Sequence, residues 1–208
     1  MRTRIGLAAV AAACIAGAAA AQDTTMSFFV TSANPGNGAD LGGLAGADAW
    51  CAQLAEAAGV TDRVWAAYLS ASGVDARDRI GSGPWYNASG EKIADDVASL
   101  HGDGNNITKA TALDETGAVV NGRGDQPNRH DILTGSNPDG TAAAETCEDW
   151  TAGGAEGAAI VGHHDRMGLD DSPPAKSWNA SHASRGGCSL EALRGTGGDG
   201  LFYCFATD

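Results

Sequence analysis

The sequence predicts an α+β fold: one well-formed helix near the start, room for a second, and many short strands joined by long loops. Three observations carry that prediction. Residues 44–58 place Leu44, Ala47, Cys51, Leu54 and Ala58 at three- and four-residue intervals, which makes one apolar helical face. In "GLFYCFA" (200–206), Leu201, Tyr203 and Phe205 alternate with Phe202, Cys204 and Ala206. Both faces of that segment are apolar, as in a central strand. Finally, 30 glycines and only 19% charged residues point to extensive loops around a modest core.

The elements follow in chain order. "SFFVT" (27–31) reads as a strand, and the glycine-rich turn 34–43 leads into helix 44–58, which Gly59 stops. Cys51 lies on the buried helical face, so a disulfide there pins the helix to the core. "VWAAYLS" (64–70) is a strand, 75–80 a single helical turn, and "GPWYNASG" (83–90) a turn carrying two aromatics. Residues 109–121 suggest a hairpin around Glu115-Thr116-Gly117, followed by a polar, irregular stretch to residue 129. Short strands are expected at 131–135, 146–150, 158–163, 176–180 and 200–206. There is no internal repeat or low-complexity linker, so residues 22–208 read as one domain.

The first 21 residues carry two arginines, an alanine-rich apolar run from Ile5 and an Ala-x-Ala ending at Ala21. That is the pattern of a signal peptide cleaved before Gln22, and it predicts a secreted, periplasmic or cell-surface protein. The run is short of the roughly 20 apolar residues of a spanning helix, and no later stretch reaches that length, so membrane insertion is not expected. Cys14 lacks the preceding leucine usual for a lipid-modified cysteine. Without Arg2 and Arg4, 11 basic residues face 26 acidic ones, a net charge of −15. Such a chain is repelled by nucleic acid and anionic lipid and suits cations or neutral ligands. The remaining cysteines, Cys51, Cys147, Cys188 and Cys204, form two disulfides in an oxidising compartment, with three pairings open.

"WCAQLAEAAGV" with "VWAAYLSASGVDARDRI", then "DETG", "DILTGSNPDGT", "TCEDWT" and "CSLEALRGTGGDGLFYCFA" stand in an order that resembles the C-type lectin-like fold. The likeness is to its endostatin-like branch, found in collagen tails and bacterial secreted proteins, and covers 27–206. The resemblance implies nested disulfides, Cys51–Cys204 enclosing Cys147–Cys188, and paired terminal strands beside the helix.

It also directs attention to calcium. Sugar-binding members carry Glu-Pro-Asn or Gln-Pro-Asp before the second cysteine and Trp-Asn-Asp before the third, whose oxygens satisfy a hard cation. Here Gln126-Pro127-Asn128 precedes Cys147 and Trp178-Asn179 precedes Cys188, but Ala180 replaces the aspartate and the gap from Asn128 to Cys147 is long. Asp125, Asp131, Glu145 and Asp149 are candidates for the missing carboxylate. "GHHDRMG" (162–168) with His182 offers a separate, zinc-compatible set. Neighbours on a strand face opposite ways, so one histidine of the pair joins the set: His164, Asp165 and His182 are the candidates. The "RGD" at 123–125 and the glycosylation-type triplets at 87, 106 and 179 have no supporting context. Nucleophile elbow, phosphate loop and paired-carboxylate signatures are missing from the sequence.

The expected function is that of an exported, non-enzymatic recognition module. It would bind a glycan or an extracellular protein through Gln126, Asn128, Trp178 and Asn179, with calcium as the candidate ion. The alternatives are a metal-assisted hydrolase using the His163–His182 region, and a structural surface protein without a small ligand.

Overall fold

The computed structural model describes residues 25–208; the leader, including Cys14, lies outside them. The architecture is mixed α and β. In chain order it comprises β1 (Phe28–Val30), α1 (Gly43–Ala57), β2 (Trp65–Ala67), β3 (Trp85–Tyr86), β4 (Lys92–Ala94), α2 (Val97–His101) and β5 (Asp131–Leu133). Then come a short turn α3 (Cys147–Trp150), β6 (Ile160–His163), β7 (His182–Ala183), α4 (Leu190–Thr196) and β8 (Gly198–Ala206).

β8 organises the molecule. Its nine residues are all buried. It pairs antiparallel with β1 and β2 and parallel with β5, and the sheet continues through β6 to β7. The two-faced apolar pattern of 200–206 is realised literally. Phe202, Cys204 and Ala206 pack toward Ala47, Cys51 and Ala55 of α1, with Trp150 in the same core. Leu201, Tyr203 and Phe205 face a second core with Phe28, Tyr68, Trp85 and Trp178. Most aromatic rings of that core meet edge-on or tilted, as at Trp85–Phe205 and Trp178–Tyr203 (centroids 5.2 and 5.3 Å), while Phe28 stacks on Tyr203.

α1 forms where its periodicity placed it. Its buried side chains are Ala47, Cys51 and Ala55, flanked by half-buried Leu44 and Leu54, while Ala58 is exposed. Gly59, at φ 88°, ends the helix by a left-handed turn and donates its N–H to Glu56 O. The disulfides are Cys51–Cys204, which ties α1 to β8, and Cys147–Cys188, which closes the loops between them.

Several expected elements differ. Residues 146–150 are not a strand. Cys147, Glu148, Asp149 and Trp150 all have φ between 49° and 68°, a left-handed turn. Burial of Trp150, whose indole N–H donates to Ser70 O at 2.7 Å, and the Cys147 disulfide outweigh the local strand propensity. Residues 176–180 are likewise irregular, and the strand lies beyond them at β7. The expected hairpin at 109–121 reduces to a single Leu113–Val119 bridge, and the turn at 83–90 proves to be the start of the β3–β4 hairpin. Among the described residues no helix is long and apolar enough to cross a membrane.

Candidate functional site

Sheet register builds a site from three distant segments. β5 and β6 pair so that Asp131 stands opposite His163. β6 and β7 pair so that His182 stands opposite Val161, two residues from His163 and hence on the same face. His130 immediately precedes β5. The outcome is a cluster of three imidazoles around one carboxylate. Asp131 Oδ1 lies 3.0 Å from His130 Nε2, 3.2 Å from His163 Nε2 and 3.7 Å from His182 Nε2. The His163 and His182 Nε2 atoms are 3.1 Å apart, and the His130 and His163 rings stack at 4.2 Å. His130, Asp131 and His163 are buried, whereas the His182 side chain keeps 33% of its surface exposed.

The neighbours fix how these rings present themselves. A carbonyl only accepts, so His163 Nδ1 donates to Ala175 O (2.8 Å) and His182 Nδ1 donates to Ala183 O (3.0 Å). In each ring Nε2 is therefore the atom turned to the cluster. His130 Nδ1 faces Asp165 Oδ1 at 3.5 Å. Neither oxygen of Asp131 has a donor in hydrogen-bonding geometry, despite the short distances, although both are buried. Burial pulls the His130 pKa down, but Asp131 and Asp165 on its two sides outweigh burial and lift it to about 9. Burial pushes Asp165 up, yet His130 and the N–H groups of Arg123 and Met167 hold it at about 2. Asp131 is held below the usual carboxylate range: burial opposes the ionised form, and the surrounding imidazoles more than compensate.

The three imidazoles of the cluster line a cavity of about 410 Å³, which Arg123, Asn128, Leu169, Pro174 and Arg185 also line, with Asp131 behind them. Among the described residues the guanidiniums of Arg123 and Arg185 have no carboxylate partner. Leu169 is 91% exposed at the rim. Asp170 also lines the cavity, and its Oδ1 accepts from Ser172 N–H.

Of the residues singled out from sequence, His182 and Asp165 belong to this neighbourhood and Asn128 lines its cavity. The expectation for His164 is corrected. It points away from the cluster and donates through Nε2 to Asn121 O at 3.2 Å, and burial lowers its pKa; His163 takes its place. Trp178 and Asn179 are also corrected: both are buried and turned inward. The Asn179 amide nitrogen donates to Tyr68 Oη, Asn137 O and Pro138 O, and its oxygen accepts from Ser177 Oγ. Gln126 is exposed and precedes a cis Pro127.

Of the candidate substitute carboxylates for a calcium site, Asp125 and Asp149 bond to other groups, Asp131 lies in the histidine cluster and Glu145 is exposed. Asp125 pairs with Lys109 at 2.5 Å, and the Asp149 carboxylate accepts from the Ser72 N–H and from Thr146 Oγ. Among the described residues, the grouping of histidine, cysteine and acidic side chains able to hold a metal is His130, Asp131 and His163. Sequence reading missed His130 and weighed Asp131 only as a substitute calcium ligand. Adjacent titratable residues at the start of a short strand were the available signal, but only the β5–β6 register shows what they meet. The chain matches no family model, and no curated protein is significantly similar to it.

Proposed function

We propose that the protein is an exported, non-enzymatic recognition module of the C-type lectin-like type, which binds an acidic glycan in the cavity beside the histidine cluster. The single observation that carries this reading is that Arg123 and Arg185, which have no carboxylate partner among the described residues, line one cavity in a chain with net charge −13. In so acidic a protein, free guanidiniums at a common cavity favour carboxylate or sulfate groups by paired, charge-assisted hydrogen bonds. The Asn128 amide beside them suits hydroxyls, and exposed Leu169 suits the apolar face of a sugar ring. The nested disulfides and the β1–β8 pairing beside α1 are features the lectin-like expectation calls for.

The test is direct titration of the mature chain with uronate-containing and sulfated oligosaccharides against neutral ones. Acidic ligands bind, and Arg123→Ala or Arg185→Ala weakens binding about tenfold, the value of one charged hydrogen bond. Equal binding of neutral sugars, or none of any, removes the reading. The imidazole–carboxylate cluster favours metal-assisted hydrolysis as the second reading. Release of shortened products from the same oligosaccharides would put it first.

A further inference from the structure

We propose that His130, Asp131, His163 and His182 form a centre for one zinc-class transition-metal ion at the wall of the cavity. The inference is independent of the glycan reading, because it rests on the cluster alone.

The first support is dimensional. Zinc bonds nitrogen and oxygen at about 2.0–2.1 Å, so neighbouring ligand atoms of a tetrahedral site lie about 3.3–3.4 Å apart. Four of the six ligand–ligand separations, 3.0, 3.1, 3.2 and 3.7 Å, bracket that edge; His130, Asp131 and His163 already lie mutually close, and His182, in reach of Asp131 and His163, completes the set by a side-chain shift toward His130. The second support is the state of the donors. With Nδ1 of His163 and of His182 turned to Ala175 O and Ala183 O, both Nε2 atoms converge on each other and on the Asp131 carboxylate at close range. A divalent cation among them would bond to all of these atoms at once.

The third support is the buried carboxylate. Neither oxygen of Asp131 has a donor in hydrogen-bonding geometry although the side chain is only 2% exposed; the nearby imidazoles offset its charge but leave both oxygens without a well-aligned bond, which is costly for a buried polar atom. A metal bond is the missing partner. Outer-shell groups stand where such centres keep them: backbone carbonyls behind two imidazoles and the Asp165 carboxylate behind the third. Three imidazoles with one carboxylate select zinc, cobalt or nickel; calcium wants oxygen alone. The half-exposed His182 faces the cavity, so an ion arrives from that side.

The test uses the tag-free mature chain, stripped with chelator and titrated calorimetrically with zinc, cobalt and calcium. Zinc and cobalt are each expected to bind at one equivalent, cobalt with the intense visible bands of tetrahedral coordination, while calcium gives no heat. His182→Gln, at the half-exposed position, should weaken zinc about a hundredfold and change the cobalt spectrum. His101→Gln, outside the cluster, should leave both unchanged. Asp131→Asn should abolish binding, with circular dichroism reporting whether it folds. The proposal falls if the folded wild type takes up neither zinc nor cobalt, which would leave a purely hydrogen-bonded charged cluster. It falls equally if His182→Gln binds like the wild type, or if His101→Gln loses as much as His182→Gln.

Discussion

At the scale of single residues, the opposite fates of two asparagines separate structure from recognition. Asn128 stays at the cavity wall, whereas Asn179 sits at the centre of a relay. The Asn179 amide donates to Tyr68 Oη (3.0 Å), Tyr68 donates to His101 Nε2 (2.7 Å), and His101 Nδ1 donates to Val97 O (2.8 Å). Truncating Asn179 to alanine leaves two backbone carbonyls and the tyrosine without their donor. The expected cost is about 2–3 kcal/mol in chemical denaturation, with metal and glycan affinity intact. The relay requires neutral His101, since its Nε2 must accept. Burial lowers the His101 pKa below its ordinary value of 6.5. The folded state therefore binds fewer protons than the unfolded chain, and stability falls as pH drops below that ordinary value toward the folded one. Denaturant midpoints measured from pH 7 down to pH 5 should decline, and His101→Gln should flatten this part of the profile.

Among the elements, α3 shows how tertiary contacts overrule propensity. "TCEDW" reads as a strand, yet four consecutive non-glycine residues adopt positive φ. Each such residue costs about 1–2 kcal/mol, and the cost is borne because Trp150 is wholly buried and Cys147 is bonded to Cys188. Asp149 adds hydrogen bonds to Ser72 N (2.8 Å) and to Thr146 Oγ (3.0 Å). Glu148 has an exposed side chain and φ of 54°, with none of these compensations. Glu148→Gly is therefore expected to stabilise the protein by about 0.5–1 kcal/mol in urea denaturation, the relief of strain exceeding the added chain entropy. A decrease would show that the turn is not strained at that position. At β6 the register itself makes the site: Gly162 lets the strand lie against the Trp178 backbone, where a Cβ would come within 1.8 Å of its carbonyl oxygen.

For the molecule as a whole, the disulfides hold a loop-rich chain around β8. The outer ring spans a sequence separation of 153 residues and the inner one 41. On chain entropy, removing the outer bridge with Cys51→Ala and Cys204→Ala should cost about 5 kcal/mol, and removing the inner one about 4 kcal/mol. Both are large against the usual net stability of a domain. Equilibrium unfolding under non-reducing conditions gives the order. If losing the inner bridge proves the more damaging, the strained turn at Cys147 depends on it beyond ring closure.

The sequence by itself determined what nearest neighbours and periodicity can encode. The apolar faces of α1 and β8 and the stop at Gly59 follow from spacing within one segment, and the presence of two bridges from the count of cysteines beyond the leader. The tertiary structure decided which side chains meet. His130 and Asp131, His163, and His182 lie tens of residues apart, and a one-residue slip between β5 and β6 would turn Asp131 away from His163. For the same reason Trp178 and Asn179 look like ligand contacts in a string of residues and prove to be core. Burial and convergence are properties of packed strands, and a linear pattern carries neither.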